Sequence, residues 1–465
     1  MDGDARINPF LSGNFAPVRD EVDLDLPVTG ALPTGLKGTL YRNGPNPQFD
    51  PRDGNHHWFG GDGMLHAFTV ADGEVRYRNR WVRTNKWELE HAAGRALFGS
   101  WGNPMTTDPS VLGVVSDGVA NTNIIRHGGH LLALEEAHAP FEMSGPDLET
   151  IGKYDLGGKV TAHPKACPVT GQLVFFAYAD DPMPLSSRIS WGLADADGKL
   201  IKRETFEAPY CSMIHDCIVT EHYIVIPVLP LSGSLARAMG GQSVFAWEPA
   251  LGGHLAVIPR AEGVAGLRWI EVPACYVFHV MNAFERSEGG AVSIVADVMR
   301  YASAPLFPNA DGTRGENAPA YLTRWTIDLA VGAVTETPLD DIAGEFPRVD
   351  ERFAGLPYRH GWFVGHTTRP GDLRPNTLVH LDLATGTRKT WTVPPRDAIG
   401  EAVFTHAGPE AAEGEGWLTA VIYRGDEDVS EFVVFDAQRI DQGPVAGAKL
   451  PRRVPFGFHG QWVAG

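Results

Sequence analysis

Residues 211–230, CSMIHDCIVTEHYIVIPVLP, put two histidines and two cysteines into a run that otherwise reads as buried strand. The second half, YIVIPVLP, is short, rich in β-branched residues and closed by proline, which fits a strand of a packed sheet better than a helix. Histidine suits such an apolar run poorly unless its ring nitrogens are used. The pattern extends outward in both directions. HLLALEEA at 130, QLVFFAYA at 172, AVSIVADV at 291, WFVGHTT at 362, TLVHLDL at 377, WLTAVIY at 417 and EFVVFDA at 431 are short strand-like runs of the same kind. Between them stand turn signals such as ADGEV, DADGKL and LATGTR, in which glycine supplies the positive φ of a tight hairpin. EVRYRNRWV and RKTWTVP alternate as half-buried strands do. Helical signal is sparse: WELEHAAGRALFG (87–99) is the best helix and LSGSLARAMGG (231–241) a weaker one.

Many short strands with regular hairpins indicate an all-β sandwich, barrel or propeller. Seven four-stranded blades would share the 465 residues at about 66 each, within reach of propeller repeats carrying insertions. No linker, charge run or low-complexity segment divides the chain, so residues 1–465 read as one domain. The net charge of −18 argues against a nucleic-acid partner, which needs a basic footprint. MDGDARINPFLSG at the start has no apolar core, so no signal peptide is expected. No apolar run is long enough to span a membrane. Four cysteines without an export signal read as free thiols, and the chain reads as cytoplasmic.

Four of the 17 histidines sit at the edges of strand-like runs among apolar or aromatic neighbours: His163 in VTAHPKACP, His215 in SMIHDCIVT, His279 in YVFHVMNAFE and His459 in FGFHGQWV. Their gaps are 52, 64 and 180 residues. In a propeller that spacing puts the first three on successive blades and the fourth about three blades further on, all able to converge on the axis. Four converging imidazoles make a site for iron, copper or zinc; four satisfied core histidines are the plain alternative. Cys167, Cys211 and Cys275 each lie four residues from one of these histidines, which leaves a mixed Cys/His zinc site open, although no local C-x₂₋₄-C pair is present. His222, seven residues from His215 and in an apparent turn, reads as a bystander. Others, including His127 and His360, read as surface or turn residues.

LPTGLKGTLYRNGPNPQFDPRDGNHHWFGGDGMLHAF (32–68) and the four histidine motifs, in order and context, resemble the carotenoid cleavage oxygenases, and the resemblance runs from about residue 15 to the C-terminus. It implies a seven-bladed β-propeller with a helical or loop cap over the metal-bearing face. It also implies one Fe(II) per chain, held by His163, His215, His279 and His459. Glu136 (ALEEAHAP), Glu345 (GEFPRVD) and Glu401 (GEAVFTH) match the family's outer glutamates, which accept the second ring N–H of three of the histidines and fix tautomer and orientation. Thr122, in GVANTNIIRHGG, matches a threonine whose methyl shields one coordination position. The implied reaction is splitting of a conjugated C=C bond by O₂ into two carbonyls, with the substrate supplying the electrons. Trp58, Phe59, Trp101 and Phe278, and less strongly Phe307, are candidates to line the substrate tunnel.

KWELEHAAGRALFGSWGNPMTTDPSV (86–111) is similar to a bacterial branch that includes lignostilbene-cleaving enzymes. Where that group carries a tyrosine and a lysine that grip the phenolic oxygen, this sequence has Trp101 and Glu135. RNGPNP and HHWFGGDGMLH look more like carotenoid-cleaving members, so a carotenoid or apocarotenoid is the expected substrate and a hydroxystilbene or phenylpropenoid the alternative. A polyene must come from a membrane, and VLPLSGSLARAMGGQSVFAW (228–247) falls where the family carries an apolar patch. Leu231, Leu235 and Met239 would form one helical stripe there for a weak peripheral contact.

Overall fold

The computed structural model describes residues 8–52, 54, 56–99, 104–367 and 374–465. All eight strand-like runs are strands, and the turn signals close hairpins between them. In ADGEV, Asp72 and Gly73 both take positive φ (51° and 85°), the geometry of a tight two-residue hairpin between Gly63–Ala71 and Glu74–Trp81. The second of these strands alternates in burial, whereas Leu173–Ala177 and His360–Gly365 are buried throughout because each lies inside a sheet covered on both faces.

Seven antiparallel sheets of four to six strands follow one another along the chain and form a seven-bladed β-propeller, with one extra two-stranded ribbon, Leu231–Gly233 with Phe245–Trp247. Blades 2 to 6 are contiguous in sequence, within residues 123–153, 165–207, 218–272, 276–338 and 344–392. Blades 1 and 7 are composite. The C-terminal strand Gly460–Ala464 pairs with Gly38–Pro45 as the end strand of blade 1, and the N-terminal strand Val28–Gly30 pairs with Ala446–Lys449 as the end strand of blade 7. Both ends of the chain thus close the ring.

The core lies between neighbouring blades. Phe68 of blade 1 stacks on Phe432 of blade 7, centroids 5.1 Å apart, and Trp362 of blade 6 stacks on Phe404 of blade 7 at 4.8 Å while its indole N–H donates to the Ala437 carbonyl. Wholly buried aromatics of this size dominate the packing between sheets.

Helix is as scarce as expected. α1 spans Asn85–Ala93, capped by the Thr84 hydroxyl at its start and by left-handed Gly94 at its end. α2 is only Leu235–Met239. The expected stripe of Leu231, Leu235 and Met239 does not exist: Leu231 belongs to the ribbon strand and is fully buried, because its side chain joins the core beneath, while Leu235 and Met239 are exposed. His127 and His360 are also buried, contrary to the sequence reading; His127 Nε2 meets the Gly171 carbonyl and His360 pairs with His380. No helix among the described residues is long and apolar enough to cross a membrane.

Ring closure makes a stability prediction. At Gly460, paired opposite Arg42, a Cβ would collide with the Tyr41 carbonyl oxygen. Gly460→Ala should destabilise the protein by about 1–3 kcal/mol, the usual cost of overpacking, measured by chemical denaturation; an unchanged midpoint would show the closing strand to be loosely held.

Candidate metal centre

His163 and His215 come two to three residues before the first strands of blades 3 and 4, His279 lies within the first strand of blade 5, and His459 immediately precedes the closing strand of blade 1. The expected placement on three successive blades, with the fourth three further round, is what the fold produces. The four rings converge, buried, with one ligand-capable atom from each within 4.8 Å of all the others. Consecutive Nε2 atoms are 3.0 Å (His163–His215), 3.1 Å (His215–His279) and 3.0 Å (His279–His459) apart. The group contains no cysteine; all four cysteines are buried free thiols.

The carboxylates decide where the ring protons sit. Glu401 Oε1 accepts from His459 Nδ1 at 2.8 Å, Glu136 Oε1 meets His215 Nδ1, and Glu345 Oε2 meets His279 Nδ1. With Nδ1–H donated outward, each of these Nε2 atoms presents a lone pair inward. Along His215, His279 and His459 these lone pairs face one another at 3.0–3.1 Å with no hydrogen between them, an arrangement that a cation satisfies. Adjacent ligands of an octahedral ion with bonds of about 2.1 Å stand about 3.0 Å apart, against about 3.4 Å in a tetrahedron. The donor set therefore fits a metal with neighbouring coordination positions left open. Burial, first, holds His459 at a pKa of about 4 and His163 well below the usual histidine value, so both rings are neutral and ready to ligate. Burial works to raise the Glu401 pKa, but Arg348 (3.7 Å) and His459 bring it down to about 2.

On one side of the histidines opens a cavity of about 1090 Å³ with a mainly apolar wall. Trp58, Phe59, Phe278, Thr122 and Glu135 line it together with His215, His279 and His459. Phe278 sets its edge against the His215 ring at 5.2 Å, and Phe59 packs on Phe278 (6.5 Å) and Phe458 (5.7 Å). The Thr122 hydroxyl is held by Asn121 Oδ1 at 2.9 Å and its carbonyl accepts the His459 amide. Phe307 is not in the wall: it is buried behind, 6.4 Å from the Phe59 ring, where it supports rather than lines. Trp101 lies outside the described residues. Glu135 is bound to His138 and to the Val119 amide (3.1 Å). Burial opposes protonation of His138, but Glu135 beside it raises its pKa overall. His222 is exposed and pairs with Glu285 at 2.9 Å, away from the quartet. The wall consists of loops, strand ends and the 3₁₀ turn Trp58–Gly60, and no residue of α1 or α2 belongs to it.

Sequence reasoning missed several residues of the site. Lys159 lines the cavity and donates to the Ala179 carbonyl at 2.7 Å. Phe346 sits at a φ of +55°, in a bulge beside Glu345, and lays its ring against His279 (5.5 Å) and His459 (5.2 Å). A bulky residue held in that conformation is costly and marks a built site. Tyr178 and Tyr301 donate to Glu136 and Glu345. None of these carries a local pattern that would have singled it out.

Comparison with known proteins agrees with this geometry. The family described as retinal pigment epithelial membrane protein matches residues 15–464. Isoeugenol monooxygenase of Pseudomonas nitroreducens is 38% identical, with 99% of each chain covered. A carotenoid cleavage oxygenase of Mycobacterium tuberculosis is 33% identical over 98% of this chain and 97% of its own. The crystal structure of lignostilbene dioxygenase from Pseudomonas brassicacearum superimposes with a TM-score of 0.92 at 34% identity, covering 98% of both chains. A propeller whose axis carries four convergent histidines, matched over almost its full length by oxygenases, belongs to the carotenoid cleavage oxygenase family and is an alkene-cleaving dioxygenase.

Proposed function

We propose that the chain is an Fe(II)-dependent dioxygenase that splits the C=C bond of a hydroxylated aryl alkene, of the stilbene or phenylpropenoid class, into two carbonyl products. One observation carries this reading: an aromatic, apolar cavity abuts the histidine quartet and has the polar side chains of Glu135 and Lys159 in its wall. The 38% identical isoeugenol monooxygenase and the structural match to lignostilbene dioxygenase support it. This reverses the preference drawn from the sequence motifs. Apocarotenoid cleavage stands as the second reading, because about 1090 Å³ is at the upper end of ordinary ligand pockets and gives room for a longer polyene. A weak peripheral membrane contact through 228–247 belongs to that reading and would rest on Leu235 and Met239. The propeller acts as one domain, and the free thiols suit a reducing cytoplasm.

In this reading His163, His215, His279 and His459 hold the iron through Nε2, and Glu136, Glu345 and Glu401 keep three of the rings in the ligating tautomer. Iron bound there supplies activation of O₂ for oxidative cleavage of the alkene. The protein's remaining task is positioning. Phe59, Phe278 and Trp58 hold the conjugated system against the quartet, with Phe307 behind them. Thr122, its hydroxyl committed to Asn121, leaves its methyl to restrict one open position. No acid–base pair is needed, because both new carbonyl oxygens come from O₂ and no proton moves. Among the described residues no carboxylate forms an ion pair with Lys159, so its ammonium is available to a phenolic oxygen.

Three measurements test this. With Fe(II) and O₂, a hydroxystilbene and isoeugenol should yield hydroxybenzaldehydes by mass spectrometry; turnover of an apocarotenal alone would make the second reading correct. His279→Ala should abolish iron retention and turnover together, while His222→Ala should leave both intact; iron lost from the latter would mean the ligand assignment is wrong. Lys159→Met should reduce kcat/KM for a hydroxystilbene roughly 10- to 100-fold, from loss of a charge-assisted hydrogen bond of about 1.5–3 kcal/mol, and spare a stilbene without the hydroxyl. Equal effects on both would remove Lys159 from phenol recognition.

A further inference from the structure

Glu136 and Glu345 differ from Glu401 in their surroundings. Glu401 is sealed: its second oxygen accepts the Gly460 amide at 2.8 Å, Arg348 stands 3.7 Å from the first, and it takes no part in the cavity wall. Glu136 and Glu345 both lie in that wall, and no guanidinium or ammonium pairs with either among the described residues. On each of them, the oxygen not used by histidine accepts a tyrosine hydroxyl: Tyr178 to Glu136 Oε2 at 2.6 Å, and Tyr301 to Glu345 Oε1 at 2.6 Å. Both tyrosines also line the cavity, and Tyr301 faces the Phe278 ring at 5.7 Å.

Two carboxylates would otherwise each turn an unpaired anionic oxygen toward a space shaped for an apolar alkene. We propose that Tyr178 and Tyr301 are positioning residues of the metal centre: each clamps the carboxylate that orients a ligand histidine and masks its charge from the substrate cavity. This rests on the metal-holding role of the quartet. Burial pushes both phenols well above their ordinary pKa, so each remains a donor at every pH the enzyme meets. The two clamps are built alike from different blades. Tyr178 directly follows the second strand of blade 3 and reaches Glu136 of blade 2, which serves His215 of blade 4; Tyr301 ends the second strand of blade 5 and reaches Glu345 of blade 6, which serves His279 of blade 5. A hydroxyl between carboxylate and cavity holds the carboxylate in one rotamer, and with it the tautomer and plane of the imidazole.

Tyr178→Phe and Tyr301→Phe test this, with Tyr276→Phe as control. Tyr276 is buried in the same cluster against Phe278, but its hydroxyl donates to the Met213 carbonyl at 3.2 Å rather than to a carboxylate. The readouts are the dissociation rate of Co(II) loaded into the protein and its visible ligand-field spectrum, both independent of turnover. Each clamp variant should release Co(II) about 10-fold faster, the low end of what loss of an outer partner costs, with a shifted spectrum; the control should match wild type. Unchanged rates and spectra in both clamp variants would overturn the proposal, as would an equal change in the control. His279→Ala, measured alongside, separates the two levels: if it holds Co(II) like wild type, the quartet reading fails irrespective of the tyrosines.

Discussion

Imidazole lone pairs repel when they face one another at about 3 Å, and the rest of this structure serves to hold four rings with their Nε2 atoms converging at 3.0–3.1 Å. No short segment can do so, since neighbouring residues of a strand point to opposite faces. The propeller solves this by rotation. Every blade contributes one residue: His459 from blade 1, Glu136 from blade 2, His163, His215 and His279 from blades 3 to 5, Glu345 from blade 6 and Glu401 from blade 7. Histidines and the carboxylates that orient them come from different blades, so the spacing of the site is set by the packing between blades.

That arrangement concentrates charge. Three carboxylates surround the four rings, one of them satisfied by an arginine and a backbone amide and the other two by tyrosines. The cavity thereby remains apolar where the alkene must lie, although Glu136 and Glu345 belong to its wall. Phe346, at its unusual φ, shows the same economy: the backbone bends so that Glu345 and the ring beside it both address His279.

What could be read from the sequence follows from where the information is local. Strands such as Leu173–Ala177 and Glu74–Trp81 announce themselves by apolar runs or alternation, and hairpins by their Asp-Gly turns, so the all-β class was legible, and the histidines stood out as polar residues in apolar edges. The choice of a propeller over a sandwich or barrel, and the glutamates, needed a family resemblance, because their partners lie up to 79 residues away. Leu231 was misread because i, i+4 spacing alone cannot tell a five-residue helix from the strand before it. Phe307 was placed one layer too far forward. Tyr178, Tyr301 and Lys159 sit in ordinary strand or loop contexts, and their importance exists only across blade boundaries.

The strand Gly460–Ala464 closes the ring, and His459 comes immediately before it. The segment that seals blade 1 therefore also carries the fourth imidazole, and ring and quartet are completed together. Without that strand the ring would be open and the quartet reduced to three imidazoles, so the shape of the propeller and its set of ligand nitrogens are one cooperative unit.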